Sequence, residues 1–148
     1  MRGFFEIGIY HTKTEVNVGT LWRSAYQLGA SGIFTIGKRY KKQSSDTMKS
    51  WKQIPLRHYE TFDDFKEHMP LDCQLIPIEM GGHPLSNVVH PERAIYLLGA
   101  EDYGIPKEIT EKCKLVISLE SVGQNSYNVA VAGSIVMYHR FMTGKKIA

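Results

Sequence analysis

Three short stretches of this chain pair side chains that can handle phosphates or reacting oxygens with glycines that let a backbone approach a ligand. The first is Asn17-Val18-Gly19-Thr20-Leu21-Trp22-Arg23-Ser24-Ala25. Asn17 reads as a helix N-cap, Gly19 leaves the backbone open, and Arg23 follows on the first helical turns, where a guanidinium can grip a phosphate bidentately. The second, Leu97-Leu98-Gly99-Ala100-Glu101-Asp102-Tyr103-Gly104-Ile105-Pro106, reads as a strand running into a glycine-bracketed acidic turn that exposes amides and carbonyls. The third, Ser126-Tyr127-Asn128, places a hydroxyl and an amide at the mouth of an apolar helix. Each stretch alone reads equally as an ordinary cap or βα connection.

Other chemistries lack their residues. No G-x-G-x-x-G follows a strand with a ribose-binding acid about 20 residues on, and no glycine-rich loop ends in Gly-Lys-Ser/Thr, so neither a dinucleotide fold nor a phosphate P-loop is indicated. His11, His58, His68, His83, His90 and His139 show no ligand spacing, and Cys73 and Cys113 lie far apart, so no metal is expected. Lys38, Arg39, Lys41 and Lys42 cluster around Tyr40, with Lys49 and Lys52 beside Trp51. That segment can track a nucleic-acid backbone, or can be a solvated loop.

The chain has 148 residues, 43% apolar and 22% charged, with a net charge of +3. This is ordinary globular composition, and it points to one domain over residues 1–148 with no staple required. Glu6 interrupts the apolar start and no run is long enough to span a bilayer, so a cytoplasmic protein without a membrane partner is expected.

The elements that must position these residues follow a strand–helix alternation. Phe4 to Tyr10 reads as a buried strand, and Val16 to Leu28 as a helix with apolar residues at Val18, Leu21, Trp22, Ala25 and Leu28, ended by Gly29. Strands are expected at Gly32–Gly37, Leu56–Tyr59, Gln74–Ile78, Ala94–Leu98 and Leu115–Leu119, with a helix opened by Thr61 and a short one begun by Pro106. A final helix runs from Asn128 to Phe141. Its first half, Val129 to Met137, has almost no polar face, which predicts burial on nearly all sides. The expected second cover is another copy of the chain, with Ala132, Gly133 and Ser134 allowing close approach. The fold class is α/β, a mostly parallel sheet with helices on both faces.

Taken in order, the three stretches resemble the motifs of the SpoU (TrmH-type) branch of the SPOUT methyltransferases, over nearly the whole chain. Asn17, Gly19, Arg23 and Ala25 match the first motif, Leu98, Gly99, Glu101, Gly104 and Ile105 the second, and Ser126, Asn128, Val129, Ala130 and Ala132 the third. Tyr127 stands where leucine is usual, and Ser118 where proline is common. The resemblance implies a deep trefoil knot in the carboxyl-terminal part, near Met80-Gly81-Gly82, Gly99 to Gly104 and Leu119 to Asn128, a feature chains generally avoid.

It implies S-adenosylmethionine as cofactor, held by Met80, Gly81, Leu98, Gly99, Glu101, Gly104, Ile117, Leu119, Ser126, Tyr127 and Val129. The reaction implied is 2′-O-ribose methylation of RNA, transfer RNA foremost because no extra N-terminal domain is evident; ribosomal RNA, or a catalytically silent RNA-binding protein on this fold, are the alternatives. Arg23, Asn17, Glu101, Ser126 and Asn128 become the catalytic candidates. Arg23, Arg39, Lys41 and Lys42 become the RNA-facing ones, and a homodimer through the last helix is expected.

Overall fold

The computed structural model describes residues 3–12, 14–37, 53–100, 102 and 104–147. They form a six-stranded sheet in the order β3-β2-β1-β5-β4-β6, in which every strand pair is parallel. The strands are β1 (Phe4–Tyr10), β2 (Gly32–Ile36), β3 (Leu56–Tyr59), β4 (Gln74–Pro84), β5 (Arg93–Gly99) and β6 (Ile117–Ser118). The helices are α1 (Glu15–Gln27), α2 (Phe62–His68), α3 (Lys107–Thr110) and α4 (Val129–Ile147). None is long and apolar enough, among the described residues, to cross a membrane.

Strand residues alternate between two cores, as the period of two requires. Ile7, Ile9, Tyr96, Leu98, Ile76 and Ile117 pack under α1 and α4, while Phe34, Ile36, Ile95 and Leu97 pack with Phe65 of α2 and Ile109 of α3. Both faces are therefore covered, which is why the central strands β1 and β5 are apolar almost throughout. Burying one such Ile or Leu contributes about 1.5–3 kcal/mol, so these layers supply most of what holds the sheet together.

Helix α1 buries Val18, Leu21, Trp22 and Ala25 at helical spacing. It starts earlier than the sequence suggests. The N-cap position is Thr14, and Asn17 sits within the first turn with its side chain turned to another use. Trp22 Nε1 donates to Ile54 O at 3.0 Å, tying α1 to the segment before β3. In α2 the expected cap is present: Thr61 Oγ1 accepts from Asp64 N at 3.0 Å.

Helix α4 lies alongside α1 and runs in the same direction, because Asn128 meets Asn17 and Ser134 meets Ser24. Two of its small residues, Gly133 and Ser134, pack within this chain. A Cβ on Gly133 would come within 2.6 Å of Leu21 Cδ1 and 2.8 Å of Leu98 Cδ1, so the helix sits directly on α1 and the sheet. Ser134 Oγ lies 2.8 Å from Ser24 Oγ. The face left open carries Val131, Tyr138, Phe141 and Met142, which are 39–55% exposed, so burial within the chain covers only part of the helix.

Two strand boundaries also differ from the sequence reading. Strand β4 continues past Ile78 to Pro84 through an irregularity between Ile78 and His83, and its far end pairs with β6. Strand β6 is reduced to Ile117–Ser118 because pairing is available only there.

Candidate active site

Parallel strands bring their carboxyl ends to one edge, and the loops leaving that edge are where such sheets hold ligands. Here the end of β4, the turn after β5 and the loop from β6 to α4 enclose a cavity of ≈ 280 Å³. Its walls are apolar, from Ile78, Leu98, Leu119, Val129 and Ala132, and its rim carries Ser118, Ser121, Gln124, Asn125 and Ser126.

Close backbone packing shapes the turn after β5. A Cβ on Gly99 would fall 2.6 Å from the Gly104 carbonyl carbon, so only glycine lets the turn fold back on itself. Gly104 has φ +64° and its N–H donates to Ala100 O at 2.8 Å. Ala100 N donates to Tyr10 O at 3.2 Å, and Ile105 N donates to Glu79 Oε2 at 2.7 Å. The turn is thus fastened to both β1 and β4.

The loop before α4 is exposed but cross-linked. Tyr127 Oη donates to Glu120 O at 2.7 Å, and the Glu120 carboxylate accepts from the Ser86 hydroxyl and, at 3.2 Å, from Ser86 N. The Ser86 hydroxyl bond, with backbone bonds adding to it, holds the Glu120 carboxyl below the usual carboxylate range.

Asn128 closes the site on the helix side. Its Oδ1 accepts from Ala130 N at 2.9 Å and from Val131 N at 3.2 Å, capping α4, while its Nδ2 donates to Asn17 Oδ1 at 3.1 Å. Residues 111 positions apart are thereby joined next to lining residues Tyr127 and Val129.

Of the residues expected to hold a cofactor, Met80, Gly81, Leu98, Gly99, Gly104, Leu119, Ser126, Tyr127 and Val129 line the cavity. Ile117 does not: its side chain is fully buried in the core, and its neighbours Ser118 and Leu119 face the hollow instead. Asn17 and Asn128 meet, and Ser126 lies on the rim. Arg23 is exposed, six residues along α1 from Asn17, and is not part of the lining. Glu101, Arg39, Lys41 and Lys42 lie outside the described residues.

Glu79 is the charged residue among the described lining residues that sequence reasoning missed. Its strand reads as ending at Ile78, and nothing local signals that the following carboxylate turns toward the β5 turn.

The family model described as the SpoU rRNA Methylase family matches residues 5–138. The chain belongs to the SpoU family. Among curated proteins, this SpoU-family chain is 25% identical over 142 residues to an uncharacterized tRNA/rRNA methyltransferase of Archaeoglobus fulgidus, covering 92% of this chain and 63% of the relative. The chain therefore spans less than two thirds of that relative's length. An AdoMet-bound rRNA methyltransferase from Sinorhizobium meliloti has the same fold, with a TM-score of 0.84 at 23% identity, covering 97% of this chain and 57% of the other. A structure described as giving insights into the 2-OH methylation of C/U34 on tRNA aligns with a TM-score of 0.85 at 21% identity, over 98% of this chain and 93% of that one.

Proposed function

We propose that this SpoU-family chain is an S-adenosylmethionine-dependent methyltransferase that acts on a ribose 2′-hydroxyl of transfer RNA, as a single-domain homodimer in the cytoplasm. The observation that carries the reading is the cavity at the carboxyl edge of the sheet, lined by the second and third motifs, with Asn128 of the third, between lining residues Tyr127 and Val129, bonded to Asn17 of the first. Apolar walls and a polar rim suit an adenosine. The turn after β5, with no room for a Cβ at Gly99, suits a base gripped by backbone groups. When bound, S-adenosylmethionine supplies an electrophilic methyl group.

The chain's own residues would then position the ribose. A guanidinium stays protonated, so Arg23 acts by clamping an RNA phosphate and stabilising charge that develops on the 2′-oxygen. Alignment of the reacting groups supplies much of the rate. Asn128 fixes the first turn of α4 and, through Asn17, the start of the helix that carries Arg23. Replacing Arg23 by Lys removes the planar fork but keeps the charge; turnover is expected to fall at least tenfold, about 1.4 kcal/mol, and full turnover would exclude a bidentate clamp.

Transfer RNA, at an anticodon-loop ribose, is favoured by the tRNA-acting structure, whose chain this one covers at 93%. Ribosomal RNA is the second reading, favoured by the family description and the Sinorhizobium meliloti structure. The dimer is supported by the open apolar stripe of α4, Val131, Tyr138, Phe141 and Met142. The knot is supported by membership of the SpoU family. Free thiols at Cys73 and Cys113 suit a reducing compartment.

The test is incubation of purified protein with total RNA and labelled S-adenosylmethionine, followed by mapping of alkali-resistant riboses. Label in transfer RNA is expected; label in ribosomal RNA would favour the second reading, and none in any RNA would overturn methyl transfer. For the segment around Tyr40, Lys41→Glu with Lys42→Glu should lower the salt dependence of RNA binding, and an unchanged slope would remove it from the interface.

A further inference from the structure

Among the described residues that line the cavity, Glu79 is the one with a charged side chain. It follows Ile78, the last residue of β4 paired with β5, and lies in the stretch between Ile78 and His83 where the pairing of β4 with β6 is irregular. Its Oε2 accepts from Ile105 N at 2.7 Å, and a Cβ on Gly104 would lie 3.4 Å from Oε2 and 4.0 Å from Oε1. The carboxylate is therefore held directly beneath the glycine turn, half-buried, in a hollow whose walls are apolar and whose rim, among the described residues, is neutral. Fixed negative charge in such a recess attracts a cation more strongly than the same charge on an open surface.

The methyl donor and its spent product differ by the methyl group and its charge: the donor is a sulfonium, the product a neutral thioether. We propose that Glu79 makes the cavity select the cationic donor over S-adenosylhomocysteine, so that loss of the methyl group weakens binding and favours exchange. The proposal rests on the methyltransferase reading above. Glu79 has two separable tasks, the Ile105 N–H bond and the negative charge; Glu79→Gln keeps an acceptor for the first and deletes the second, whereas Glu79→Ala deletes both.

The experiment is calorimetric titration of the whole chain with S-adenosylmethionine and, separately, S-adenosylhomocysteine, for wild type and both variants, across a salt series. Wild type should favour the donor, with a preference that shrinks as salt rises. Glu79→Gln should lose about tenfold in donor affinity while product affinity stays within about twofold, and its preference should be insensitive to salt. Glu79→Ala should weaken both ligands. Product binding by Glu79→Gln reports that its cavity is intact. Equal loss of both ligands in Glu79→Gln, or an unchanged preference, would overturn charge selection while leaving the methyltransferase reading standing. Failure of wild type to bind either ligand would overturn both.

Discussion

Asn128 bonds to two helices at once, and that makes its deletion informative. Its Oδ1 caps α4 through Ala130 N and Val131 N, and its Nδ2 reaches Asn17 on α1. Loss of an Asn N-cap to Ala costs about 1 kcal/mol, and one neutral, exposed side-chain bond about 0.5–1 kcal/mol. Asn128→Ala should therefore cost about 2 kcal/mol and Asn17→Ala about 0.5–1 kcal/mol. Because the two share one bond, the double variant should lose no more than Asn128→Ala alone, leaving a coupling of about 0.5–1 kcal/mol. Urea unfolding of all four proteins, with a common m-value, measures this directly. Asn128→Asp keeps the capping acceptor but loses the Nδ2 donor to Asn17; the favourable charge at a helix N-terminus, about 0.3–1 kcal/mol, offsets that loss, so it should stay within about 0.5 kcal/mol of wild type. Additive losses for Asn17→Ala and Asn128→Ala, or an Asn128→Ala loss below about 0.3 kcal/mol, would refute the account of how the first and third motifs are joined.

Gly133→Val drives atoms into Leu21, Leu98 and Ile7, each at most 2% exposed, and should cost about 3 kcal/mol; Gly123→Val meets nothing within 4 Å and should stay within about 0.5 kcal/mol, as thermal melts will report. Gly19 lies inside α1 with nothing within 4 Å of an added Cβ, so Gly19→Ala should raise stability by about 0.8–1 kcal/mol. If its open space admits RNA, the same variant lowers kcat/KM on RNA, and unchanged turnover would assign Gly19 no such role. His90 Nδ1 lies 2.7 Å from Tyr96 Oη and its Nε2 2.8 Å from His139 Nδ1, and burial, with the charges of His139 and Arg140, lowers its pKa from 6.5 to about 4. The unfolded chain then binds a proton that the folded one refuses, so stability is full above 6.5 and falls as pH drops toward 4. The urea midpoint should fall between about pH 7 and about pH 5, and His90→Gln should flatten that dependence; an equal slope in the variant would exclude His90 as the cause.

Much of the fold is written locally. The buried spacing of Val18, Leu21, Trp22 and Ala25, the two-residue alternation of Ile7 and Ile9 against Ile95 and Leu97, and the Thr61 cap each follow from near neighbours. The order of the three motifs likewise identified the family, and the residues expected from it make up half of the cavity lining. Asn17 misled because a good capping side chain does not choose the first residue of a helix: Thr14 holds the N-cap position without a side-chain bond, and burial of Val18 belongs to the helix that starts there. Gly133 and Ser134 misled because small residues permit close approach without naming the partner, and α1 with the sheet already fills that place.

What only the tertiary structure decided are the long-range meetings: Asn128 with Asn17, Glu79 beneath the Gly104 turn, and Ile117 turned into the core rather than the cavity. The amino-acid sequence by itself sets which segments are strands and helices and which faces are apolar, since those depend on contacts a few residues apart. Strand order and register then determine which loop ends share an edge. These arise from packing the whole sheet, so a carboxylate one residue past a strand's pairing carries no local mark of the pocket it enters.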